Sequence, residues 1–262
     1  MHQLKIVILG AGNLAFHLAK ALTEADHEII QVLSRTINSG HNLAKWFDAE
    51  AITSFNKIRD DADLYIIAVS DKAISQIIEG FDFTNKNVVH TAGSVPLSIF
   101  NEEHQNYGVF YPLQTFTKIR KINFKEVPVC IEASNPNFEL FLTQLAEQIA
   151  GSVWKINSLQ RLQLHLAAVF ANNFVNHLYS ISNDIISKVN IDFKILQPLI
   201  LETAKKVLEL NPEKAQTGPA IRNDKESLEK HLELLSSTPE YQNIYKLITK
   251  DICLKHNVLI EE

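Results

Sequence analysis

Residues 4–15 have the sequence Leu4-Lys5-Ile6-Val7-Ile8-Leu9-Gly10-Ala11-Gly12-Asn13-Leu14-Ala15. An apolar, strand-forming run is followed by the pattern Gly-x-Gly-x-x-Ala and then by a segment with helical spacing of apolar residues. In such a turn the first glycine permits a tight bend, the second lets the backbone approach a pyrophosphate, and the alanine lets helix and strand pack closely. The stretch therefore predicts a dinucleotide site at a helix N-terminus, with a plain tight turn as the alternative. Its cofactor-binding residues would be Gly10, Ala11, Gly12, Asn13 and Leu14.

The chain around this turn alternates short β-rich runs with helical patterns as far as residue 157, and its second helix is predicted at about residues 42–47. Such alternation is typical of a parallel sheet with helices on both faces. The most apolar run, residues 63–70, predicts a strand buried on both faces, and Asp71 is placed to cap the helix after it. Residues 1–157 are therefore predicted to form an α/β domain with a doubly wound parallel sheet of the Rossmann type.

Strand patterns stop at about residue 158, and the remaining residues, 158–262, are predicted to form an all-α domain. The predicted helices span residues 159–189, 193–210, 225–235 and 239–256. The first is apolar on most faces and must be buried on nearly all sides, which a small helical domain alone does not achieve. We therefore expect a homodimer that forms through the helical domain.

The end of the second strand distinguishes NADP from NAD. NAD sites usually place an acidic residue there for the ribose hydroxyls. This chain has Ser34, Arg35 and Thr36 at that point, and the nearest acid, Glu28, lies at the wrong end of the strand. Since a guanidinium binds a phosphate through two hydrogen bonds, the sequence favours NADP over NAD. A solvated Arg35 is the alternative.

Two further strand ends are expected at the same crevice, because ligands of open α/β sheets bind beyond the carboxyl ends of the strands. Their small side chains leave room for the ribose and the nicotinamide, although ordinary strand-to-helix turns have a similar composition. The residues concerned are Val69, Ser70 and Asp71 on one strand end and Ala92, Gly93 and Ser94 on the other.

The long predicted helix carries a polar stripe on an otherwise apolar surface. At 100° per residue, His165, Asn172 and Asn176 point within about 20° of one direction. His165 is predicted to donate or accept the proton that accompanies hydride transfer, and Asn172 to hold the reacting carbonyl, imine or carboxylate. Asn176 is placed with the substrate-binding residues. Hydrogen bonding across a dimer interface is the alternative for all three.

Other candidate substrate-binding residues lie in loops. Tyr111, Gln114 and Thr115 follow a predicted strand, where a rigid proline turn with polar surface residues is the alternative. Arg222, in the loop of residues 216–224, is a candidate for an anionic substrate group in a partner's site. The alternative for that loop is a plain connection with Asp224 as N-cap of the next helix.

Composition excludes several classes of function. A net charge of −5 argues against a general nucleic-acid binder. Cys130 and Cys253 lack the spacing of a zinc site or a disulfide framework, and no metal site is predicted. His17, His27, His41, His231 and His256 fall on predicted surfaces. Without a leader peptide or an apolar run of about 20 residues, we expect a cytoplasmic protein that is not in a membrane.

The chain resembles a bacterial two-domain family that pairs a Rossmann-like domain with a helical C-terminal domain of uncharacterised function. That family is related to pyrroline-5-carboxylate reductase, to deazaflavin-dependent NADP oxidoreductases and to the 6-phosphogluconate dehydrogenase superfamily. The resemblance rests on residues 10–15, 34–35, 69–71, 90–94, 111–116 and 217–219. It implies an NADP-linked reductase or dehydrogenase that dimerises through its helical domain. Superfamily dehydrogenases often carry a catalytic lysine near the start of the long helix, where this chain has His165.

These observations lead to an expected function. The chain is predicted to be an NADP(H)-dependent oxidoreductase that transfers hydride to or from a small carbonyl, imine or hydroxy compound between its two domains. A non-catalytic NADP-binding redox sensor or structural dimer is the alternative. A deazaflavin-dependent enzyme is a third possibility.

Overall fold

The computed structural model describes residues 2–101 and 103–259. Their strands form one eight-stranded sheet in the order β3-β2-β1-β4-β5-β6-β7-β8. The strands are β1 Lys5–Leu9, β2 Glu28–Leu33, β3 Glu50–Ile52, β4 Leu64–Ile67, β5 Asn87–His90, β6 Asn106–Pro112, β7 Pro128–Ala133 and β8 Ser152–Lys155. The helices around the sheet are α1 Asn13–Glu24, α2 Ile37–Ala44, α3 Asp71–Gly80, α4 Pro136–Ile149 and α5 Ser158–Ala168.

Strands β1 to β6 are all parallel, so their carboxyl ends meet at one edge of the sheet. The strand order reverses at β1, which lies between β2 and β4, and a ligand crevice is expected at such a switch point. The predicted Rossmann-type α/β fold is confirmed. The structure departs from an all-parallel sheet at β7, which runs antiparallel to β6 and is followed by β8 parallel to β7.

The central strands of the sheet are buried on both faces, which explains their continuous apolar sequences. In β1, Ile6 and Ile8 pack in one apolar cluster with residues of α1 and α4, whereas Val7 and Leu9 pack in the other with residues of α3. These four side chains are completely buried. The turn after β1 is therefore held on a rigid strand, which places the glycine pattern precisely at the sheet edge.

Three local predictions differ from the structure. The second helix begins at Ile37 and not near residue 42, because Thr36 accepts a hydrogen bond from the Ser39 amide and caps it there. His17 and His27 are buried and not on the surface. Nδ1 of His27 accepts a hydrogen bond from the Leu4 amide, and burial lowers the pKa of His27.

The chain divides into two compact units, one extending to Asn173 and the other beginning at Phe174. The division falls inside the long predicted helix, whereas the sequence pattern placed it before residue 158. The helix itself is not uniform: α5 is followed by a π-helical segment, Val169–Phe174, and by α6, Val175–Ser187.

The second unit is helical. After α6 it contains α7 Gln197–Glu209, α8 Pro212–Ala215, α9 Lys225–Leu234 and α10 Pro239–Lys255. Asp224 caps α9 by accepting a hydrogen bond from the Ser227 amide at 3.1 Å, which confirms its predicted capping role. Within residues 2–101 and 103–259, the helices lack the combination of length and apolar character needed to cross a membrane.

Candidate active site

The glycine turn between β1 and α1 has the geometry that its sequence predicts. Gly10 has a φ of +133°, its amide donates to the Leu33 carbonyl at 2.8 Å, and a Cβ there would lie 2.1 Å from the Ala68 carbonyl oxygen. Gly12 is the N-cap of α1, and a Cβ there would meet nothing within 4 Å. The first glycine is thus required by the fold, whereas the second leaves open space at the helix N-terminus.

A cavity of about 700 Å³ begins at this turn. Its wall contains most of the predicted cofactor-binding residues, namely Gly10, Ala11, Gly12, Asn13, Leu14, Ser34, Arg35, Thr36, Val69 and Ser70. Asp71, Ala92, Gly93 and Ser94 are not part of this wall. Sequence reasoning missed Ser39, Thr53, Phe55 and Gln76, which line the cavity from α2, α3 and the loop after β3. Their contribution depends on how these elements pack, so no local pattern indicates it.

At the corner of the cavity beside β2, the hydroxyl groups of Ser34 and Thr36 donate hydrogen bonds within the turn, although both residues were predicted to bind the cofactor. The Ser34 hydroxyl donates to the Thr36 carbonyl at 2.9 Å, so its hydrogen is already used within the turn. The Thr36 hydroxyl donates in turn to Oγ of Ser39 at 2.9 Å, which leaves the hydrogen of Ser39 free for an anion. Arg35 is exposed and forms no salt bridge within the described part of the chain. Arg35 and Ser39 therefore have hydrogen-bond donors available for a phosphate at this corner.

The ends of β4 and β5 are tied together by polar contacts. The Ser94 hydroxyl donates to a carboxylate oxygen of Asp71. Asp71 was predicted to cap α3, but it lies in the first turn of the helix. Ser70 occupies the N-cap position instead, without a side-chain hydrogen bond. The ring of His90, fully buried at the end of β5, accepts a hydrogen bond from the Ala92 amide at 3.2 Å. Burial lowers the pKa of His90 to about 3, so this histidine stays neutral.

Tyr111 and His165, which lie far apart in the sequence, meet at this edge of the sheet. The Tyr111 hydroxyl lies 3.0 Å from Nδ1 of His165. Both rings press against Gly93, where a Cβ would lie 2.6 Å from His165 Nδ1 and 2.9 Å from Tyr111 Cζ. Burial raises the pKa of Tyr111 to about 12, so its hydroxyl keeps its proton at neutral pH. When Nδ1 of His165 accepts a hydrogen bond from the Tyr111 hydroxyl, the ring's own N–H proton is on Nε2.

A buried ion pair holds the first turn of α5, one turn before His165. Arg161 is 1% exposed and pairs with Glu132 of β7, and its other terminal nitrogen donates to the Val95 carbonyl at 2.6 Å. Glu132 also accepts from the amide and hydroxyl of Ser158 at 2.9 and 2.8 Å. Sequence reasoning missed this cluster, because it joins residues that lie as far as 66 positions apart.

The remaining predicted residues are more exposed. Asn172 lies in the π-helical segment, whose i→i+5 hydrogen bonds interrupt the regular 100° spacing that placed His165, Asn172 and Asn176 on one face. Gln114 and Thr115 are exposed, and the Gln114 side chain accepts from the Thr115 amide at 2.8 Å. Arg222 is exposed in the loop before α9. The described residues contain no group of three His, Cys, Asp or Glu side chains that could hold a metal ion.

Comparison with known proteins identifies what this chain resembles. A solved structure from Bacteroides fragilis, provisionally described as an NADP oxidoreductase, is 42% identical with a TM-score of 0.90, covering 97% of this chain and 98% of that one. The chain belongs to the NADP oxidoreductase family. Residues 5–93 match the family model described as NADP oxidoreductase coenzyme F420-dependent, and residues 127–252 match a domain of unknown function, DUF2520. A search of curated proteins gave no match.

More distant members of the same fold are also similar. Pyrroline-5-carboxylate reductase from Streptococcus pyogenes is 14% identical with a TM-score of 0.64, covering 97% of this chain and 99% of its own. A reductive aminase from Aspergillus terreus, solved with NADPH, is 12% identical with a TM-score of 0.75, covering 97% and 94%. These two likenesses concern the fold.

The glycine turn of this NADP oxidoreductase family member fits a dinucleotide. The N-terminus of α1 has no side-chain cap and no acidic residue in its first turn, so its amides are left for another acceptor. The open space at Gly12 lies at the same helix end. Both features match what a pyrophosphate requires.

Proposed function

We propose that this protein is an NADP(H)-dependent oxidoreductase that transfers hydride to or from a small carbonyl, imine or hydroxy compound. The observation that carries the proposal is the Tyr111–His165 pair, which lies against Gly93 at the sheet edge that also holds the glycine turn. When bound, NADP(H) supplies or takes up the hydride. A substrate beside this pair would then need a proton donor or acceptor, which the pair provides.

The two side chains have complementary roles in this proposal. His165 exchanges the proton with the substrate, because histidine is the side chain most often used for general acid–base catalysis. Tyr111 keeps its own proton, because burial raises its pKa to about 12, and it orients the ring through Nδ1. Asn172 keeps its predicted catalytic role of holding the reacting group. The predicted substrate-binding roles also stay part of the proposal, namely those of Gln114, Thr115, Asn176 and Arg222.

A substrate screen tests this function directly. NADPH oxidation is followed by absorbance with a panel of carbonyl compounds and preformed imines, and NADP reduction with hydroxy compounds. A deazaflavin acceptor belongs in the screen, because the matched family model is described as coenzyme F420-dependent. We expect turnover with at least one class. Tight NADPH binding without turnover across the panel would instead favour the non-catalytic redox sensor or structural dimer.

Arg35 is proposed to select NADP over NAD. Replacing Arg35 with alanine is expected to raise the dissociation constant of NADPH about 30-fold and to leave that of NADH unchanged, because only NADPH carries the 2′-phosphate. Nucleotide fluorescence titrations measure both constants. An unchanged affinity for NADPH would remove this assignment.

A homodimer through the helical domain is proposed from exposed apolar side chains on the long helix. Leu162, Leu166, Phe170 and Phe174 are 46%, 57%, 61% and 49% exposed in the single chain. Large apolar side chains exposed at intervals of four residues along one helix are typical of a protein interface. Sedimentation at micromolar concentration is expected to give a dimer, and a monomer at that concentration would contradict the proposal.

A further inference from the structure

The loop after β6 returns to the glycine turn. Three consecutive residues make the contacts: the Phe116 carbonyl accepts from the Asn13 side chain at 2.9 Å, and the Thr117 carbonyl lies 2.8 Å from Nε2 of His17. The Lys118 ammonium donates to the Ala11 carbonyl at 3.3 Å. This loop thus contacts the turn at the residue between the two glycines and at the first helical residue.

These contacts fix the main chain of the loop. His17 is only 5% exposed, and its ring packs on Phe116 with centroids 5.6 Å apart. Phe116 also stacks on Phe124 at 6.1 Å. The backbone is therefore held immediately before Lys118, whose own side chain remains exposed. A flexible cation is tethered at a defined point beside α1.

The charge arrangement there favours an anion. The Lys118 ammonium has three N–H donors, and only the bond to the Ala11 carbonyl is made; it forms no salt bridge within residues 2–101 and 103–259. The N-terminus of α1 adds partial positive charge without a cap or an acidic residue in its first turn. Two positive groups therefore lie at this turn, one at the N-terminus of α1 and one hydrogen-bonded to the Ala11 carbonyl.

We propose that Lys118 is a pyrophosphate ligand of the dinucleotide and that residues 116–118 form the outer wall of that site. On binding, the ammonium moves from the Ala11 carbonyl to the phosphates held by the amides of α1. The inference rests on the proposed NADP(H) binding. It gives the loop around Gln114 and Thr115 a second role, at the cofactor, beside the substrate-binding role predicted from its sequence.

Lys118→Gln is the informative variant, because glutamine keeps a donor for the Ala11 carbonyl and removes the charge. Dissociation constants of NADPH and NADH are measured by fluorescence titration for the parent protein, Lys118→Gln, Arg35→Ala and the control Lys121→Ala. Lys121 is an exposed lysine three residues further along the same loop. Thermal unfolding is recorded for every variant, and we expect no change for Lys118→Gln.

We expect Lys118→Gln to raise the dissociation constants of NADPH and NADH by the same factor, about tenfold, because both nucleotides contain the pyrophosphate. Arg35→Ala should raise the dissociation constant of NADPH alone. Lys121→Ala should change neither constant. The affinity of the Lys118→Gln variant should also fall less steeply with added salt, since one phosphate contact is gone.

Several results would overturn the inference. Unchanged constants in Lys118→Gln would show that the lysine only caps the Ala11 carbonyl. A loss confined to NADPH would assign Lys118 to the 2′-phosphate and not to the pyrophosphate. If the parent protein binds neither nucleotide, the proposed function itself fails, which is distinct from failure at Lys118.

Discussion

Replacing Gly12 with alanine is expected to raise the dissociation constant of NADPH on the order of 100-fold with little loss of stability. Apart from Gly12 itself and the adjoining residues, no protein atom would lie within 4 Å of the added methyl group, and the proposed pyrophosphate needs this open space. Because Gly12 is also the N-cap of α1, the free energy of unfolding should fall by about 1 kcal/mol at most. Nucleotide titration and urea denaturation measure the two effects.

Gly10 provides the matched control for this substitution. An alanine there would place its Cβ 2.1 Å from the Ala68 carbonyl oxygen, at a φ of +133°. Gly10→Ala should therefore lower the free energy of unfolding by about 3 kcal/mol or more. If Gly12→Ala binds NADPH as tightly as the parent protein, the cofactor does not approach this turn, and the proposed binding mode is wrong.

The second large effect concerns the Tyr111–His165 pair. His165→Ala is expected to lower kcat between about 10²- and 10⁴-fold with the substrate found by the screen, because it removes the proposed proton donor. Tyr111→Phe removes only the hydroxyl that lies 3.0 Å from Nδ1, so we expect a smaller loss, about tenfold to 100-fold. Neither change should alter the dissociation constant of NADPH by more than about twofold.

His2→Ala serves as the histidine control, since His2 is exposed and precedes β1, at the opposite end of that strand from the glycine turn. Steady-state kinetics and single-turnover measurements separate loss of chemistry from loss of binding. Full activity in His165→Ala would exclude the histidine as proton donor. Full activity in Tyr111→Phe alone would show that His165 does not need the Tyr111 hydroxyl to orient its ring.

The parts of the fold predicted from the sequence are those set by local chemistry. The glycine turn needs Gly10 at positive φ, and the continuous apolar strands follow from burial on both faces. The same logic identified the strand ends near Gly93. The start of α2 was misplaced because its decisive feature is one hydroxyl, that of Thr36, which caps the helix through the Ser39 amide.

What the sequence could not indicate depends on distant partners. Arg161 and Glu132 are 29 positions apart in the sequence. Charged residues are mostly exposed, so the sequence alone gives no reason to expect that the fold buries this pair. The burial of His17 likewise depends on the loop at Thr117, 100 positions away. The pairing of Tyr111 with His165 belongs to the same class: each was a separate candidate, and only the fold placed them in contact.

The π-helical segment Val169–Phe174 has a consequence for sequence alignment. An i→i+5 turn holds about one residue more than an α-helical turn, so it is equivalent to a one-residue insertion in the helix. A relative whose helix is regular here must be aligned with a single gap within this segment. Without that gap, every later helix position would be equated with its neighbour, and the counterpart of Asn176 in the relative would be assigned to the wrong residue.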